Sequence, residues 1–323
     1  MKKVISIGEA LIDFIPNQNG GKLKNVSEFR RVAGGAPANV SAVVAKLGGK
    51  SSFISKLGKD AFGDYIIDVL NEANVNTDYV LRTSKANTGL AFVSLKEDGN
   101  RDFSFYRNPS ADMLLEADEV KKEWFNNCHI LHFCSVDLID SPMKLAHKKA
   151  IEYALESNSI ISFDPNIRLP LWDSEQSCKK AISEFLPFAH IVKISDEELE
   201  FITGENDIEK SLHKLFVGNV ELVLYTKGKD GVDAYTKKVK GMCKGVKVNA
   251  IDTTGAGDSY IGSFLYTLLY KQITLNDIKE MKQETLNEYL EFSNYYAARS
   301  TTIKGAISSY ATKEEITEFI KNL

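Results

Sequence analysis

The order of hydrophobic patterns along the chain restricts its fold more than any other feature of the sequence. Short apolar runs, typical of buried parallel strands, occur at 4–7, 51–54, 130–133, 160–163, 191–194 and 222–225. Segments with the apolar spacing of helices lie between them, at 38–47, 63–73, 142–157, 178–186 and 207–217. This alternation predicts an α/β fold in three layers (α/β/α), with a central, mostly parallel sheet and helices on both faces.

Polar side chains follow several of these predicted strands. They are Asp13, Ser135, Asp164, Lys193 and Thr226. Because ligands of open α/β sheets bind at the carboxyl ends of the strands, we expect these residues to gather at one edge of the sheet.

Two stretches break the alternation and predict a second, small sheet. Strand-like runs at 90–95 and 102–106 flank an Asp-Gly-Asn turn at 98–100, which is a strong hairpin signal. Another pair of runs, at 10–16 and 28–33, flanks a glycine-rich linker. We therefore expect lid β-segments at about 10–33 and 88–108, inserted in the main body of one domain that spans 1–323. A small sheet of this kind closes over a site as a lid or pairs with a second subunit, which would give a homodimer through the lid sheet.

Composition argues against several classes of protein. The chain has 323 residues, 43% of them hydrophobic and 26% charged, which is ordinary for a globular protein. A formal net charge of −4 without a basic stripe argues against a nucleic-acid partner. No apolar run approaches the ~20 residues of a membrane span, and the four cysteines form no Cys-x-x-Cys pair. The first apolar run is too short for a signal peptide, so we expect a cytoplasmic protein without a membrane partner.

The segment 252–258, Asp-Thr-Thr-Gly-Ala-Gly-Asp, carries the strongest chemical signal. It precedes a run with helical spacing at 259–270. The first N–H groups of a helix lack intrahelical partners and, together with the helix dipole, favour an anion. Because like charges repel, Asp258 beside such a site is better suited to take a proton than to bind the anion. The combination indicates phosphoryl transfer to a hydroxyl, and an aspartate that merely caps a helix is the alternative.

This segment resembles the C-terminal signature of the ribokinase-like (PfkB) carbohydrate kinases. Residues 34–40, Gly-Gly-Ala-Pro-Ala-Asn-Val, are similar to the family's N-terminal diglycine signature. The stretches 8–16, 105–114 and 163–172 resemble fructokinases in particular, and the similarity runs from about 4 to 312. The resemblance implies a ribokinase-like fold and an ATP-dependent sugar kinase that uses Mg²⁺ with ATP. Its most probable reaction is the conversion of D-fructose to fructose 6-phosphate.

The resemblance also implies roles for individual residues. The general base is Asp258, beside an anion hole formed by Gly255, Ala256 and Gly257. The positions that contact the sugar, or for the arginines the sugar or the phosphates, are Asp13, Gly34, Gly35, Asn39, Arg107 and Arg168. The positions that line the ATP site are Lys193, Thr226, Gly228, Gly231 and Asn294. Glu198 is expected to act on Mg²⁺ through water, and Asp252 is offered as a ligand for a monovalent cation such as K⁺.

The sequence departs from the family pattern near the adenine. Bulky residues, Tyr295, Tyr296 and Arg299, stand where small ones are usual, so they narrow the adenine pocket or face away from it. For Arg107 and Arg168, a structural salt bridge is the alternative to a ligand contact.

Other activities stay open at this point. 2-Keto-3-deoxygluconate kinases share the diglycine signature, and an acidic sugar would need an arginine such as Arg107 or Arg168. Asp112 favours a neutral polyol instead. Ribokinase or aminoimidazole riboside kinase activity is a further alternative within the family. The last alternative is a catalytically silent member that serves as a binding or regulatory protein, against which the intact Asp258 argues.

Overall fold

A large sheet forms from the alternating pattern of the sequence. The structure, a computed structural model, describes residues 1–17, 22–95 and 101–322, without the side chains of residues 94, 95 and 101–103. Within these residues the large sheet has the spatial order β13 (Lys240–Lys244), β12 (Gly231–Thr236), β11 (Leu222–Thr226), β10 (Ile191–Ser195), β9 (Ile160–Asp164), β8 (Cys128–Cys134), β1 (Lys3–Ile7), β4 (Ser51–Gly58) and β5 (Val80–Thr83). The strands from β11 to β5 are parallel, and β12 and β13 are antiparallel additions at one edge.

Helices cover both faces of this sheet. They are α1 (Ala36–Lys46), α2 (Ala61–Glu72), α3 (Pro142–Glu156), α4 (Glu175–Phe185), α5 (Asp196–Thr203), α6 (Ile208–Leu215), α7 (Ala256–Tyr270), α8 (Leu275–Lys279), α9 (Gln283–Ser300) and α10 (Lys313–Lys321). Because successive strand residues point to opposite faces, Val4 packs in one core with α1, α7 and α9, whereas Ile5 and Ile7 pack in the other with α3 and α4. The predicted three-layer α/β/α fold is confirmed.

The small sheet contains the two predicted pairs of strands. Its order is β3 (Phe29–Gly34), β2 (Leu11–Pro16), β6 (Gly89–Leu95) and β7 (Arg101–Tyr106). β2 pairs antiparallel with β3, β6 pairs antiparallel with β7, and a parallel β2–β6 contact joins the two pairs. The predicted turn at 98–100 lies outside the described residues.

No helix in the described ranges combines the length and the apolar composition that crossing a bilayer requires.

Helices α1 and α7 pack against each other at a glycine. A Cβ placed on Gly262 of α7 would lie 2.8 Å from the Cβ atom of Val43 and 3.3 Å from the carbonyl oxygen of Val40, both on α1. The contact therefore has no room for a further side chain. It holds the N-terminal ends of the two helices next to each other.

We expect Gly262→Val to lower the free energy of unfolding by about 1–3 kcal/mol, because overpacking a tight contact forces the backbone to shift. Urea denaturation measures the change. The control is Thr317→Val on the exposed face of α10, which should alter stability by less than about 0.5 kcal/mol. A Gly262→Val protein as stable as the wild type would contradict this description of the helix contact.

Candidate active site

A cavity of about 600 Å³ lies between the carboxyl edge of the large sheet and the small sheet. The predicted site residues on its wall are Asp13, Gly35, Asn39, Arg168, Lys193, Asp252, Gly255, Ala256, Gly257 and Asp258. The predicted site residues that are not on its wall are Gly34, Arg107, Glu198, Thr226, Gly228, Gly231 and Asn294. The fold thus brings together the two distant signature segments, 34–40 and 252–258.

The start of α7 offers free backbone donors to this cavity. Gly255 is the N-cap residue, with a left-handed φ of 72°. In the described part of the chain, the N–H groups of Gly255, Gly257 and Asp258 have no hydrogen-bond acceptor. A Cβ on Gly255 would collide with the hydroxyl of Tyr310, which donates a 3.2 Å hydrogen bond to the Gly255 carbonyl. Free N–H groups at a helix start form an anion site.

Asp258 lies in the first turn of α7 beside these donors. The Asn39 side-chain amide donates a 2.8 Å hydrogen bond to Asp258 Oδ2. Burial raises the pKa of Asp258, and the Asn39 hydrogen bond and the positive charges of Arg168 and Lys193 offset part of that rise. The Asn39 Oδ1 atom is buried and accepts no hydrogen bond within the described residues. The site therefore presents a carboxylate of raised basicity and an unsatisfied acceptor side by side.

Gly34 and Gly35 let the backbone pass close to the small sheet. Gly35 has a φ of 110°, and a Cβ there would collide with the Glu9 carbonyl oxygen. A Cβ on Gly34 would collide with Asp13 Oδ2. Only glycine fits at position 35, where the clash is with the backbone and φ is positive. A side chain at position 34 would displace the Asp13 carboxylate, although Gly34 is not on the cavity wall.

Arg107 lies behind the cavity wall in a buried ion-pair cluster. Its Nη2 donates to Asp112 Oδ2 and to Asp137 Oδ1, and its Nε donates to Ser110 Oγ at 3.2 Å. The side chains of Arg107, Asp112 and Asp137 are each 1–2% exposed. Arg107 thus has the buried ion pairs of its structural alternative, and its approach to the sugar or the phosphates stays a prediction. Asp112 serves as its partner and gives no support to a neutral sugar.

Glu9 joins this cluster to the cavity wall. Its Oε1 accepts a 2.9 Å hydrogen bond from the Ala36 N–H at the start of α1. Burial raises the pKa of Glu9 from 4.5 to about 7, although the positive charge of Arg107 acts to lower it. Burial also raises the pKa of Asp137 well above its ordinary value. The cluster thus contains more carboxyl groups than one arginine can balance.

Arg168 is on the cavity wall, on the segment that follows β9. Its Nη1 donates a 2.9 Å hydrogen bond to the Ile167 carbonyl. The N–H of Ile167 in turn donates to Glu198 Oε1 at 2.8 Å. The described residues offer Arg168 no carboxylate partner within 4.0 Å, so its charge remains available to a ligand.

Lys193 forms a buried ion pair with Asp164 at the cavity wall. Its Nζ lies 3.0 Å from Asp164 Oδ2. Burial raises the pKa of Asp164 to about 7, although Lys193 acts to lower it. The sequence placed Asp164 at the predicted sheet edge but assigned it no role.

The predicted ATP-site residues beyond Lys193 lie away from this cavity. Thr226 Oγ1 donates to the Ile194 carbonyl at 3.3 Å, and the Asn294 amide donates to the Lys244 carbonyl at 2.6 Å. Gly228 and Gly231 follow β11 with positive φ values of 52° and 101°. These four residues stay a prediction for the nucleotide.

The bulky residues of α9 form hydrogen bonds within the protein. Tyr296 is fully buried, and its hydroxyl donates a 2.8 Å hydrogen bond to the Ala311 carbonyl. Arg299 donates to the Ser309 carbonyl at 2.7 Å, and Tyr295 donates to Glu291 at 3.1 Å. Their side chains therefore bond within α9 and to the C-terminal segment.

Glu198 and Asp252, the candidate cation ligands, already accept protein hydrogen bonds. Glu198 accepts from the N–H groups of Ile167 and Ser195 at 2.8 and 2.9 Å. Asp252 Oδ1 accepts from Thr254, and its Oδ2 accepts from the Gly305 N–H at 2.9 Å. Each carboxylate oxygen of Glu198 accepts one of these hydrogen bonds and keeps a further lone pair, so contact with a hydrated cation fits Glu198. The described residues contain no group of three or more His, Cys, Asp or Glu arranged to hold a metal ion by themselves.

Sequence reasoning assigned no role to several other wall residues. They are Glu9, Arg30 and Asn166. Asn166 had a usable signal, since it follows the strand-end Asp164 by two positions. Arg30 carried no such signal, because it is one of many cationic residues in the sequence. Lys304, also on the wall, belongs to the segment 304–306, which the family resemblance places beside the adenine.

Comparison with known proteins assigns the chain to a class. Residues 1–313 match the model of the pfkB family carbohydrate kinases. Fructokinase-2 of Solanum lycopersicum is 43% identical over 319 residues, which cover 98% of this chain and 96% of that protein. The crystal structure of fructokinase with bound ATP from Xylella fastidiosa has a TM-score of 0.89 and 34% identity, and the match covers 100% of this chain and 99% of the other. The fructokinase of Vibrio cholerae O395, solved with fructose, ADP and a calcium ion, has a TM-score of 0.86 and 31% identity, with 99% of each chain covered.

The chain belongs to the PfkB family of carbohydrate kinases. The ribokinase-like fold predicted from the sequence is confirmed by these structural neighbours.

The raised pKa of Glu9 predicts a pH-dependent loss of stability. An acid with a raised folded-state pKa holds its proton more tightly when folded, so stability falls as the pH rises from about 4.5 through about 7. Glu9→Gln keeps an acceptor for the Ala36 N–H and removes the titration. We expect variant and wild type to be similarly stable at pH 5, and the variant to be about 2–3 kcal/mol more stable at pH 8.

Urea denaturation at pH 5, 6, 7 and 8 measures this difference. A difference between the two proteins that stays constant over this range would contradict the raised pKa.

Proposed function

We propose that the chain transfers the γ-phosphoryl group of ATP to D-fructose and releases fructose 6-phosphate and ADP. The observation that carries the proposal is the Asn39–Asp258 hydrogen bond beside the free N–H groups at the start of α7. A base and an anion site within one cavity are what phosphoryl transfer to a hydroxyl requires. The fructokinase relatives and neighbours support fructose as the acceptor.

Asp258 acts as the general base. Its carboxylate takes the proton of the sugar hydroxyl as the oxygen attacks the γ-phosphorus, and the bond to the ADP oxygen breaks. Burial makes the carboxylate a better proton acceptor by raising its pKa. The Asn39 amide fixes Oδ2 by donating to it.

The N–H groups of Gly255, Gly257 and Asp258 bind the transferring phosphoryl group. They are fixed before the reaction by the helix and by the Gly255 turn, so they need no rearrangement when negative charge develops. Ala256 belongs to the same loop. Lys193 and Arg168 add positive charge from the cavity wall.

Asp13, Gly34, Gly35 and Asn39 bind the sugar hydroxyls. The unsatisfied Asn39 Oδ1 accepts from one hydroxyl, since a buried acceptor without a partner is costly. Asp13 extends from the lid strand β2 into the same cavity. A closed lid would exclude water, which competes with the sugar for the phosphoryl group.

Mg²⁺ arrives with ATP and offsets the charge of the phosphates. Structural neighbours that contain ATP and metal ions support a divalent cation with ATP. Glu198 contacts the Mg²⁺ hydration shell, and Thr226, Gly228, Gly231 and Asn294 surround the nucleoside. A monovalent cation at Asp252 belongs to the same proposal, within one kinase domain that includes the lid.

We expect Asp258→Asn to keep the fold and ATP binding and to lower kcat by about 10²–10⁴ fold, the usual range for a general base. ADP release from Mg-ATP is measured with D-fructose, 2-keto-3-deoxygluconate, D-ribose, D-glucose and D-mannose. Turnover with fructose alone, lost in the variant, is the expected result.

The matched control is Asp68→Asn, the same exchange on the exposed face of α2, which should turn over at the wild-type rate. Turnover only with 2-keto-3-deoxygluconate would show that fructose is not the substrate and would leave the proposed mechanism unchanged. A fully active Asp258→Asn protein would rule out Asp258 as the general base. A lack of turnover with every sugar would favour a catalytically silent binding protein.

We also propose that a second copy of the chain pairs through the lid sheet. The face of that sheet opposite the cavity carries an aromatic cluster, Phe14, Phe29, Phe92 and Tyr106. Tyr106 is 63% exposed there. Phe14, Phe29 and Phe92 are half-buried. An aromatic cluster with an exposed ring on a small sheet is typical of an interaction surface.

Sedimentation velocity tests the pairing. We expect a wild-type dimer and a Tyr106→Glu monomer, because a buried carboxylate without a partner opposes association. Tyr270→Glu is the control, since Tyr270 is 61% exposed at the C-terminal end of α7, and it should stay dimeric. A monomeric wild type would refute the proposal.

A further inference from the structure

We propose that Asp164 is a positioning residue whose ion pair with Lys193 holds the Lys193 ammonium against the anion site, where it contacts the γ-phosphoryl group of the nucleotide. This inference rests on the proposed phosphoryl transfer. It adds a residue without an assigned role, and it places Lys193 at the γ-phosphate and not merely in the nucleotide site.

The pair joins the ends of two neighbouring parallel strands. Asp164 is the last residue of β9, and Lys193 lies two residues before the end of β10. Both side chains are buried, and the Lys193 Nζ lies 3.0 Å from Oδ2 and 3.3 Å from Oδ1 of Asp164. A lysine side chain is flexible, so a carboxylate that contacts its Nζ with both oxygens fixes where the charge lies.

The fixed ammonium lies next to the start of α7. Lys193 Nζ is 3.3 Å from the place that a Cβ on Gly257 would take. Gly257 is also one of the residues whose N–H group has no acceptor within the described residues. The ammonium and this N–H group therefore converge on one anion, and Lys193 is on the cavity wall.

Asp164 also fixes the segment that carries two wall residues. Its Oδ1 accepts a 3.1 Å hydrogen bond from the Asn166 N–H, and Asn166 has a left-handed φ of 43°. Asn166 and Arg168 both line the cavity. The Asp164 carboxylate thus contacts both the Lys193 ammonium and the turn at Asn166, and it fixes the position of both.

An ion pair that only stabilises the fold need not lie on the wall of the cavity. Lys56 and Glu119 form a pair of that kind, since Lys56 is buried, also donates to the Leu114 carbonyl and is not on the cavity wall. Lys193 has no acceptor other than Asp164 in the described residues. An ammonium carries three donors, so Lys193 keeps donors for a phosphate.

Nucleotide affinity tests the proposal. Calorimetry measures the Kd of ADP and of β,γ-imido-ATP, each with Mg²⁺, for the wild type, Asp164→Asn, Lys193→Met and the double variant. We expect Lys193→Met to weaken imido-ATP by about 10–100 fold, the usual value of a charged hydrogen bond, and ADP by less than about twofold. Asp164→Asn should weaken imido-ATP by about 3–10 fold, because the ammonium loses its fixed position.

The double variant separates positioning from a general structural effect. In the Lys193→Met background, Asp164→Asn should have no further effect on imido-ATP, because the asparagine oxygen still accepts from the Asn166 N–H and only the position of Lys193 depends on the lost charge. Lys56→Met should leave both affinities unchanged. Asp164→Ser, which also removes the carboxylate, repeats the test if the asparagine variant does not fold.

Two results would overturn the proposal. One is an equal loss of ADP and imido-ATP affinity in Lys193→Met, and the other is an Asp164→Asn effect that persists at full size without Lys193. Because the experiment measures nucleotide binding, it does not depend on which sugar is phosphorylated. A wrong sugar would leave these results in place. The Asp258→Asn protein, whether active or inactive, should also keep the wild-type nucleotide affinities. Failure of the proposed function and failure of this proposal therefore appear in different measurements.

Discussion

The close contact between α1 and α7 determines the geometry of the site. The two helices approach each other at Gly262, and each begins at the cavity after a glycine with positive φ, Gly35 or Gly255. Because helices are rigid, adjacent ends stay adjacent, and Asn39 of α1 reaches Asp258 of α7 across 219 sequence positions. The position of the proposed base is therefore a consequence of core packing.

Burial of charge gives the cavity its chemical character. The carboxyl groups whose pKa is raised by burial are Glu9, Asp137, Asp164 and Asp258. The buried cations that oppose them are Arg107 and Lys193. Because these acids offset the charge of the buried cations, binding of the nucleotide depends on backbone N–H groups, on the few wall cations and on the metal that accompanies ATP. This balance explains why a single lysine beside Gly257 matters more here than on an ordinary surface.

The sequence predicts the body of the fold and the catalytic loop well, because both depend on local patterns. Apolar runs locate the parallel strands, and the Gly-Ala-Gly turn before a helical run locates the start of α7. Strands β5, β12 and β13 are not predicted, since edge strands lack a continuous apolar run. The Asp137 partner of Arg107 is not predicted for a different reason: local patterns give the neighbours of Arg107 along the chain, but not a residue 30 positions away. The distance that defines the Asp164–Lys193 pair is set by the pairing of two strands and is equally absent from local patterns.

Strand β2 connects the cavity to the outer surface through its pleat. Successive residues point to opposite faces of a sheet, so Asp13 borders the cavity while the next residue, Phe14, packs in the aromatic cluster on the other side. Asp13 pairs with Val32 on β3 and with Ala91 on β6, and a slip by one residue would reverse both faces. β3 leads through Gly34 into α1 and Asn39. A shift of the lid sheet would therefore move Asp13, the proposed sugar contact, and the outer aromatic cluster together. Contacts made by the aromatic cluster are in this way linked to the chemistry at Asp258.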